Sequence, residues 1–243
     1  MVDHNRYHFT SAGATHPGRV RDVNQDAFLA DPETGLWVVA DGVGGHAHGD
    51  TGSRLLVDTI KAALPPQSQS LAETVRHAML DANRQLVAMA SQIGPATVIG
   101  STVAALIAQA KQGICLWAGD SRIYGLRRHK LSRLTRDHSE VEEMVAHGSL
   151  AAADSLQHPN ANIISRAVGQ HNDLEIDGCM YDLYPYDRLL LCTDGLSKEL
   201  ADQEIETMLQ QDSCRQACDN LMNLALERGC HDNITIVIVD VHA

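Results

Sequence analysis

Four aspartates stand where apolar runs stop or start. Leu36-Trp37-Val38-Val39-Ala40 breaks into Asp41-Gly42-Val43-Gly44-Gly45-His46, and Leu189-Leu190-Leu191-Cys192-Thr193 breaks into Asp194-Gly195. Cys115-Leu116-Trp117-Ala118-Gly119 meets Asp120, and Asp232-Asn233 precedes Ile234-Thr235-Ile236-Val237-Ile238-Val239. A strand that ends in a carboxylate holds it on rigid backbone at the rim of a core. A neighbouring glycine lets the main chain approach a ligand closely. Singly, each pair is also an ordinary turn. Four of them, three beside a glycine, point to one hard-cation site. Oxygen-only ligands select magnesium or manganese over zinc or copper. Two such cations about 3.5–4 Å apart can share a water, lower its pKa and aim it at a phosphorus. That is the chemistry of phosphate-ester hydrolysis.

A hydrolytic site of this kind needs an anion clamp. Arg21, in Arg19-Val20-Arg21-Asp22-Val23-Asn24-Gln25-Asp26, has the right chemistry, since a guanidinium matches two phosphate oxygens bidentately. Charge density alone reads the same stretch as a solvated loop, and spacing does not separate the two readings. Cys192 lies close to Asp194, but no CxxxxxR phosphate loop surrounds it, which disfavours a cysteine nucleophile. Of the thirteen histidines only His46 and His48 are close-spaced, and no HExxH or Cys/His ladder exists, so zinc is not indicated.

The positioning elements follow from periodicity. Apolar runs at 27–30, 36–40, 103–108, 113–118, 122–126, 131–134, 163–169, 174–181 and 189–193 predict strands, and the run from Asn233 is the most β-like. Residues 113–118 and 122–126 read as a hairpin around Gly119-Asp120-Ser121. Helical spacing predicts helices over 50–64, 70–92, 202–209 and 213–228, with Ser70 and Glu73 as a capping box. Residues 140–162 lack β-propensity and read as an inserted flap at the edge of the site. Strand blocks that cluster rather than alternate with helices fit antiparallel sheets with helices packed outside.

Composition bounds the rest. A 243-residue chain, 44% hydrophobic, with no low-complexity tract, suits a single domain over 1–243 with a substantial core. A net charge of −12 argues against nucleic acid or an anionic membrane as partner. No apolar run approaches the roughly 20 residues a membrane span needs. Six cysteines without a CxxC pair fit a reducing, cytoplasmic setting.

Eight short blocks recur here in a recognisable order: Arg21-x-x-Asn24-Gln25-Asp26, Asp41-Gly42-Val43-Gly44-Gly45-His46, Gly100-Ser101-Thr102, Gly119-Asp120-Ser121-Arg122, Thr135-x-Asp137-His138-Ser139, Ser165-Arg166-Ala167-Val168-Gly169, Thr193-Asp194-Gly195-Leu196 and Asp232-Asn233-Ile234-Thr235. The series, spanning about residues 19–239, resembles the metal-dependent protein phosphatases (PPM, type 2C) in their compact bacterial form. The resemblance implies an α+β fold, an α-β-β-α sandwich of two antiparallel sheets flanked by helices, with the metals at one end. It implies a serine/threonine protein phosphatase using two, or three, magnesium or manganese ions and a metal-activated water, acting on phosphoproteins and opposed by a Hanks-type kinase.

In that resemblance Asp41 bridges two metals, the Gly42 carbonyl binds one, and Asp194 and Asp232 complete the other. Asp120 joins Asp194 at a third, weaker site, and Arg21 holds the phosphate. Gln25, Asp26 and Asn233 stand behind these ligands. Gln25 replaces a glutamate common in relatives, which weakens one water-mediated metal contact. Val43 replaces a histidine proposed elsewhere as general acid. His46 then has two readings, a proton donor with a suitable ordinary pKa or a loop residue contacting backbone. A catalytically silent module that binds phosphoproteins is the alternative from another class; loss of a metal aspartate would mark it, and all four are present.

Overall fold

A computed structural model describes residues 7–43, 49–64, 70–211 and 213–243. The chain opens with strands β1 (His8–His16), β2 (Asp26–Asp31) and β3 (Leu36–Val43), then helices α1 (Gly49–Ala62) and α2 (Leu71–Ile93). Five strands follow: the two-residue β4 (Gly100–Ser101), β5 (Val103–Gln109), β6 (Gln112–Ala118), β7 (Arg122–Arg127) and β8 (Lys130–Arg133). A short helix α3 (Glu140–Ala146) and a 3-10 turn at Ala152–Gln157 lead to β9 (Asp177–Asp182) and β10 (Arg188–Cys192). Helices α4 (Asp194–Ser197), α5 (Asp202–Leu209) and α6 (Cys214–Glu227) precede β11 (Ile234–His242).

The strands form two antiparallel sheets, one in the order β1-β11-β10-β7-β8, the other β2-β3-β5-β6-β9 with β4 paired to β3. Side chains alternate faces along a strand, and here both faces are covered. In β3, Leu36, Val38 and Ala40 pack under α1 and α2, while Trp37 and Val39 face the opposite sheet. In β11, Ile234, Ile236 and Ile238 meet α4, α5 and α6, while Val237, Val239 and Val241 face inward between the sheets. The result is three apolar layers in an α-β-β-α sandwich. Burial of each large aliphatic side chain contributes about 1.5–3 kcal/mol. Double burial is also why these strands read in sequence as unbroken apolar runs. No helix among the described residues is long and apolar enough to cross a membrane.

Three expectations fail locally. Residues 113–118 and 122–126 are not a hairpin: β6 pairs with β5 and β9, β7 with β10 and β8, so Gly119-Asp120-Ser121 crosses between the sheets. Gly119 makes the crossing at φ +112°, and a Cβ there would lie 2.6 Å from the Thr102 Cβ. Residues 163–169 make only the isolated bridges Ser139↔Ile164 and Ser101↔Val168, because the backbone bends away to reach two different partners. The Ser70 side chain makes no capping bond at the start of α2. The bridge at Ser139↔Ile164 ties together the two ends of the 140–162 excursion.

Candidate active site

The apolar registers bring the four aspartates to one end of the sandwich. β3 delivers Asp41, whose carbonyl accepts from the Thr102 amide at 2.8 Å and the Ser101 hydroxyl at 3.0 Å. The Asp41 amide donates to the Thr102 hydroxyl at 3.1 Å, and that hydroxyl lies 2.7 Å from the Ser121 hydroxyl across the sheet gap. The Gly42 amide donates to the Gln25 carbonyl at 3.1 Å. A Cβ on Gly42 would fall 2.0 Å from the Gly49 carbonyl oxygen and 2.7 Å from that of Gln25, so only glycine fits between α1 and the Arg21–Asp26 loop.

Asp26 ties the two sheets together at this end. Its Oδ2 accepts from the Thr193 hydroxyl at 2.8 Å and the Thr235 hydroxyl at 2.7 Å, while its buried Oδ1 has no hydrogen-bond partner. Burial pushes the Asp26 carboxyl up to about 7, with the threonine bonds opposing and repulsion from Asp194 and Asp232 adding to it. Asp120 is likewise buried, with Oδ1 unpartnered. Desolvation, then repulsion from Asp194, pushes it up to about 7 against the pull of Lys198. Asp41 is raised well above the carboxylate range by desolvation and by Asp26, Asp194, Asp120 and Asp232. These mutual repulsions mark a single cluster of negative charge.

Two cations of the chain itself lean on that cluster. The Lys198 ammonium contacts Asp194 Oδ2, leaving the buried Asp194 Oδ1 unpartnered. Arg21 forks onto Asp232, Nε to Oδ1 at 3.0 Å and Nη2 to Oδ2 at 2.9 Å. Asn233 organises the loop that carries Arg21: its Oδ1 accepts from the Gln25 amide at 2.8 Å, and its Nδ2 donates to the carbonyls of Pro17 at 2.9 Å and Val23 at 3.0 Å.

Behind Asp120 stands His138. Its amide donates to the Gly119 carbonyl at 2.9 Å, and its Nδ1 accepts from the Gly119 amide at 3.1 Å. Its Nε2 lies 3.2 Å from Asp177 Oδ2, and its ring stacks on Trp117. With Nδ1 accepting, the proton sits on Nε2 and points at Asp177. Next to it, Arg122 forks onto Asp137, Nε to Oδ1 at 3.0 Å and Nη2 to Oδ2 at 2.7 Å. Asn83 of α2 pins the 166–172 loop by accepting from the Gly169 amide at 2.7 Å and donating to the His171 carbonyl at 2.9 Å.

Sequence reasoning thus named Arg21, Gln25, Asp26, Asp41, Gly42, Asp120, Asp194, Asp232 and Asn233, and all of them lie at this end. His46 falls outside the described residues. Lys198 was missed, although it stands four residues after Asp194, one helical turn away.

Among the described residues, no three carboxylate, imidazole or thiol groups already close around one point. The donor set nevertheless fits a hard divalent cation. It is all oxygen, it concentrates negative charge, and it holds the unpartnered oxygens Asp26 Oδ1, Asp120 Oδ1 and Asp194 Oδ1. Magnesium keeps several of its waters and asks for few protein ligands.

Comparison with known proteins identifies the family. Residues 12–233 match the family Protein phosphatase 2C. The serine/threonine phosphatase Stp of Listeria monocytogenes is 33% identical over 235 residues, covering 93% of each chain. PppA, described as a key regulatory component of T6SS in Pseudomonas aeruginosa, superposes with a TM-score of 0.88 at 40% identity, over 96% of this chain and 98% of that one. The catalytic domain of the serine/threonine protein phosphatase PstP, solved in complex with 2 manganese ions, gives a TM-score of 0.88 at 29% identity, over 98% and 100%. A paired-sheet sandwich with acids gathered at one end defines a class of metal-using hydrolase. Within that class, the chain belongs to the protein phosphatase 2C family.

Proposed function

We propose that this chain removes phosphate from phosphoserine and phosphothreonine in proteins, using magnesium or manganese, and reverses the action of a Hanks-type serine/threonine kinase in the cytoplasm. One observation carries the reading. Three buried carboxylate oxygens without partners sit at the same end as Asp41 and Asp232, an arrangement that is costly unless a cation completes it. The six free cysteines support a reducing compartment.

In this reading Asp41, the Gly42 carbonyl, Asp194 and Asp232 would hold two cations. Asp120 and Asp194 would hold a third more weakly. Bound there, the cations supply an activated water and neutralise charge on the phosphoryl group. The chain's own residues do the rest. Asp41 is fixed in place by Thr102 and Ser101 at its backbone. Asp26 and the two threonine hydroxyls lock the sheets, so that acids from both sheets keep their spacing. Arg21 spends two of its five donors on Asp232, which leaves the others for phosphoryl oxygens. The 140–162 excursion, tied at its base, forms a flap that selects the substrate.

The test is phosphate release from a phosphothreonine peptide with EDTA, magnesium or manganese present. Release that needs the cation supports the proposal. No release under any metal, from folded protein, moves the reading to a phosphoprotein-binding module.

A further inference from the structure

Cys115 of β6 and Cys179 of β9 are direct partners in the antiparallel register. Directly opposed residues put their side chains on the same face, with Cα atoms about 4.5–5.5 Å apart. A disulfide spans Cα separations of roughly 4.4–6.8 Å, the range in which directly opposed strand residues fall. Cys115 belongs to the core between the sheets and Cys179 packs against it. Both are free thiols, and the hydrogen bond of Cys179 Sγ runs to the Leu134 carbonyl at 3.5 Å.

Access distinguishes Cys179 from the rest. β9 ends its sheet, and Cys179 is half-buried there, whereas Cys115, Cys192, Cys214, Cys218 and Cys230 are all buried. The neighbouring Cys115 thiol holds the Cys179 thiol down to about 7 against its partial burial, while the neighbouring Cys179 and desolvation push Cys115 up. A thiol that is part thiolate, reachable from a sheet edge and backed by a second sulfur has the three attributes of a redox-reactive cysteine.

We propose that Cys115 and Cys179 are a peroxide-responsive modification site, closing reversibly to a cross-strand disulfide on two-electron oxidation. The Cys179 thiolate attacks one oxygen of hydrogen peroxide: the S–O bond forms, the O–O bond breaks, and the departing hydroxide takes up a proton to leave as water. Cys115 sulfur then attacks the sulfenic sulfur. The S–S bond forms, the S–O bond breaks, and the hydroxide leaves with the Cys115 proton as a second water. Two thiols are oxidised by two electrons in all and one peroxide is reduced to two waters. A thiol reductant reverses the change by exchange. Closure withdraws Cys179 Sγ from the Leu134 carbonyl, now 3.5 Å away. Leu134 begins the segment that leads to Asp137 and His138, so the bridge alters a contact to that segment.

The experiment treats the folded full chain with hydrogen peroxide, alkylates the remaining thiols after denaturation, and maps peptides without reduction. The expected result is four alkylated cysteines out of six and one cross-linked peptide pair carrying Cys115 and Cys179, lost on treatment with dithiothreitol. Cys179→Ser and Cys115→Ala, made separately, each abolish that pair, and Cys179→Ser changes only a half-buried edge position. The same oxidation in urea removes the selectivity for this pair. Six alkylated thiols, a Cys214–Cys218 link instead, or Cys179 carried to sulfinic acid without a partner would overturn the proposal.

Discussion

Arg21 reaches Asp232 with both Nε and Nη2, at 3.0 and 2.9 Å, across the 211 residues that separate them in sequence. Asp232 and Asp194 also help raise the guanidinium's pKa beyond its ordinary value, the hydrogen bonds that Arg21 donates to Asp232 being the largest cause and partial burial working against them. The residue proposed to meet phosphate is thus oriented by one of the acids proposed to meet metal. Arg21→Ala is expected to lower kcat/KM by about 10²-fold, the scale of removing one preorganised donor from a developing charge. Arg21→Lys should recover little, because an ammonium cannot fork. Steady-state kinetics on a phosphothreonine peptide measures both.

Lys198 holds Asp194 as a tethered cation competing for the same carboxylate. Lys198→Met is expected to tighten manganese binding by roughly fivefold, the equivalent of an ion pair worth about 1 kcal/mol. Isothermal titration of manganese into both proteins measures this without reference to turnover. An unchanged affinity would mean that Lys198 does not occupy cation space.

His138 gives a pH signature. Desolvation first, then Arg166, holds its pKa below the usual imidazole value, with Asp177 pulling the other way. A pKa depressed in the folded state means that the unfolded chain takes up the proton first. The stability His138 contributes is therefore present above the ordinary histidine pKa and is lost as pH falls through the folded value. His138→Gln should flatten the fall in Tm between about pH 7 and 5 relative to the parent chain. Comparing the two proteins cancels the raised Asp26 and Asp120, which titrate in both. Parallel Tm curves would contradict the assignment.

Gly42→Ala places a methyl group on the Gly49 and Gln25 carbonyls. The expected cost is at least about 1–3 kcal/mol, the range for overpacking a site that cannot give way. Urea denaturation reads it, and manganese affinity should fall in parallel.

The acid cluster was legible because each member ends or begins a doubly buried strand, where an apolar run followed by Asp-Gly is a local signal. The layer order was legible for the same reason: helices and strands differ in apolar period. The Gly119–Ser121 crossover was not, since a turn between strands looks alike whether they pair or part, and only Thr102 beside Gly119 decides which. Lys198 was missed, and His138 was named in a motif without a role, because each acts through a partner brought close by the fold, Asp194 over one helical turn and Asp177 from a distant strand. The Cys115–Cys179 pair, 64 positions apart by numbering, exists only in the β6–β9 register.

The central claim is that Asp41 is shared by the bound cations, and Asp41→Asn tests it most directly. Manganese titration and phosphopeptide turnover would be measured on the variant and the parent chain, with circular dichroism to establish that both are folded. The expected result is a folded variant with most of its manganese binding lost and turnover reduced to background. Parental turnover and manganese stoichiometry in Asp41→Asn would contradict it.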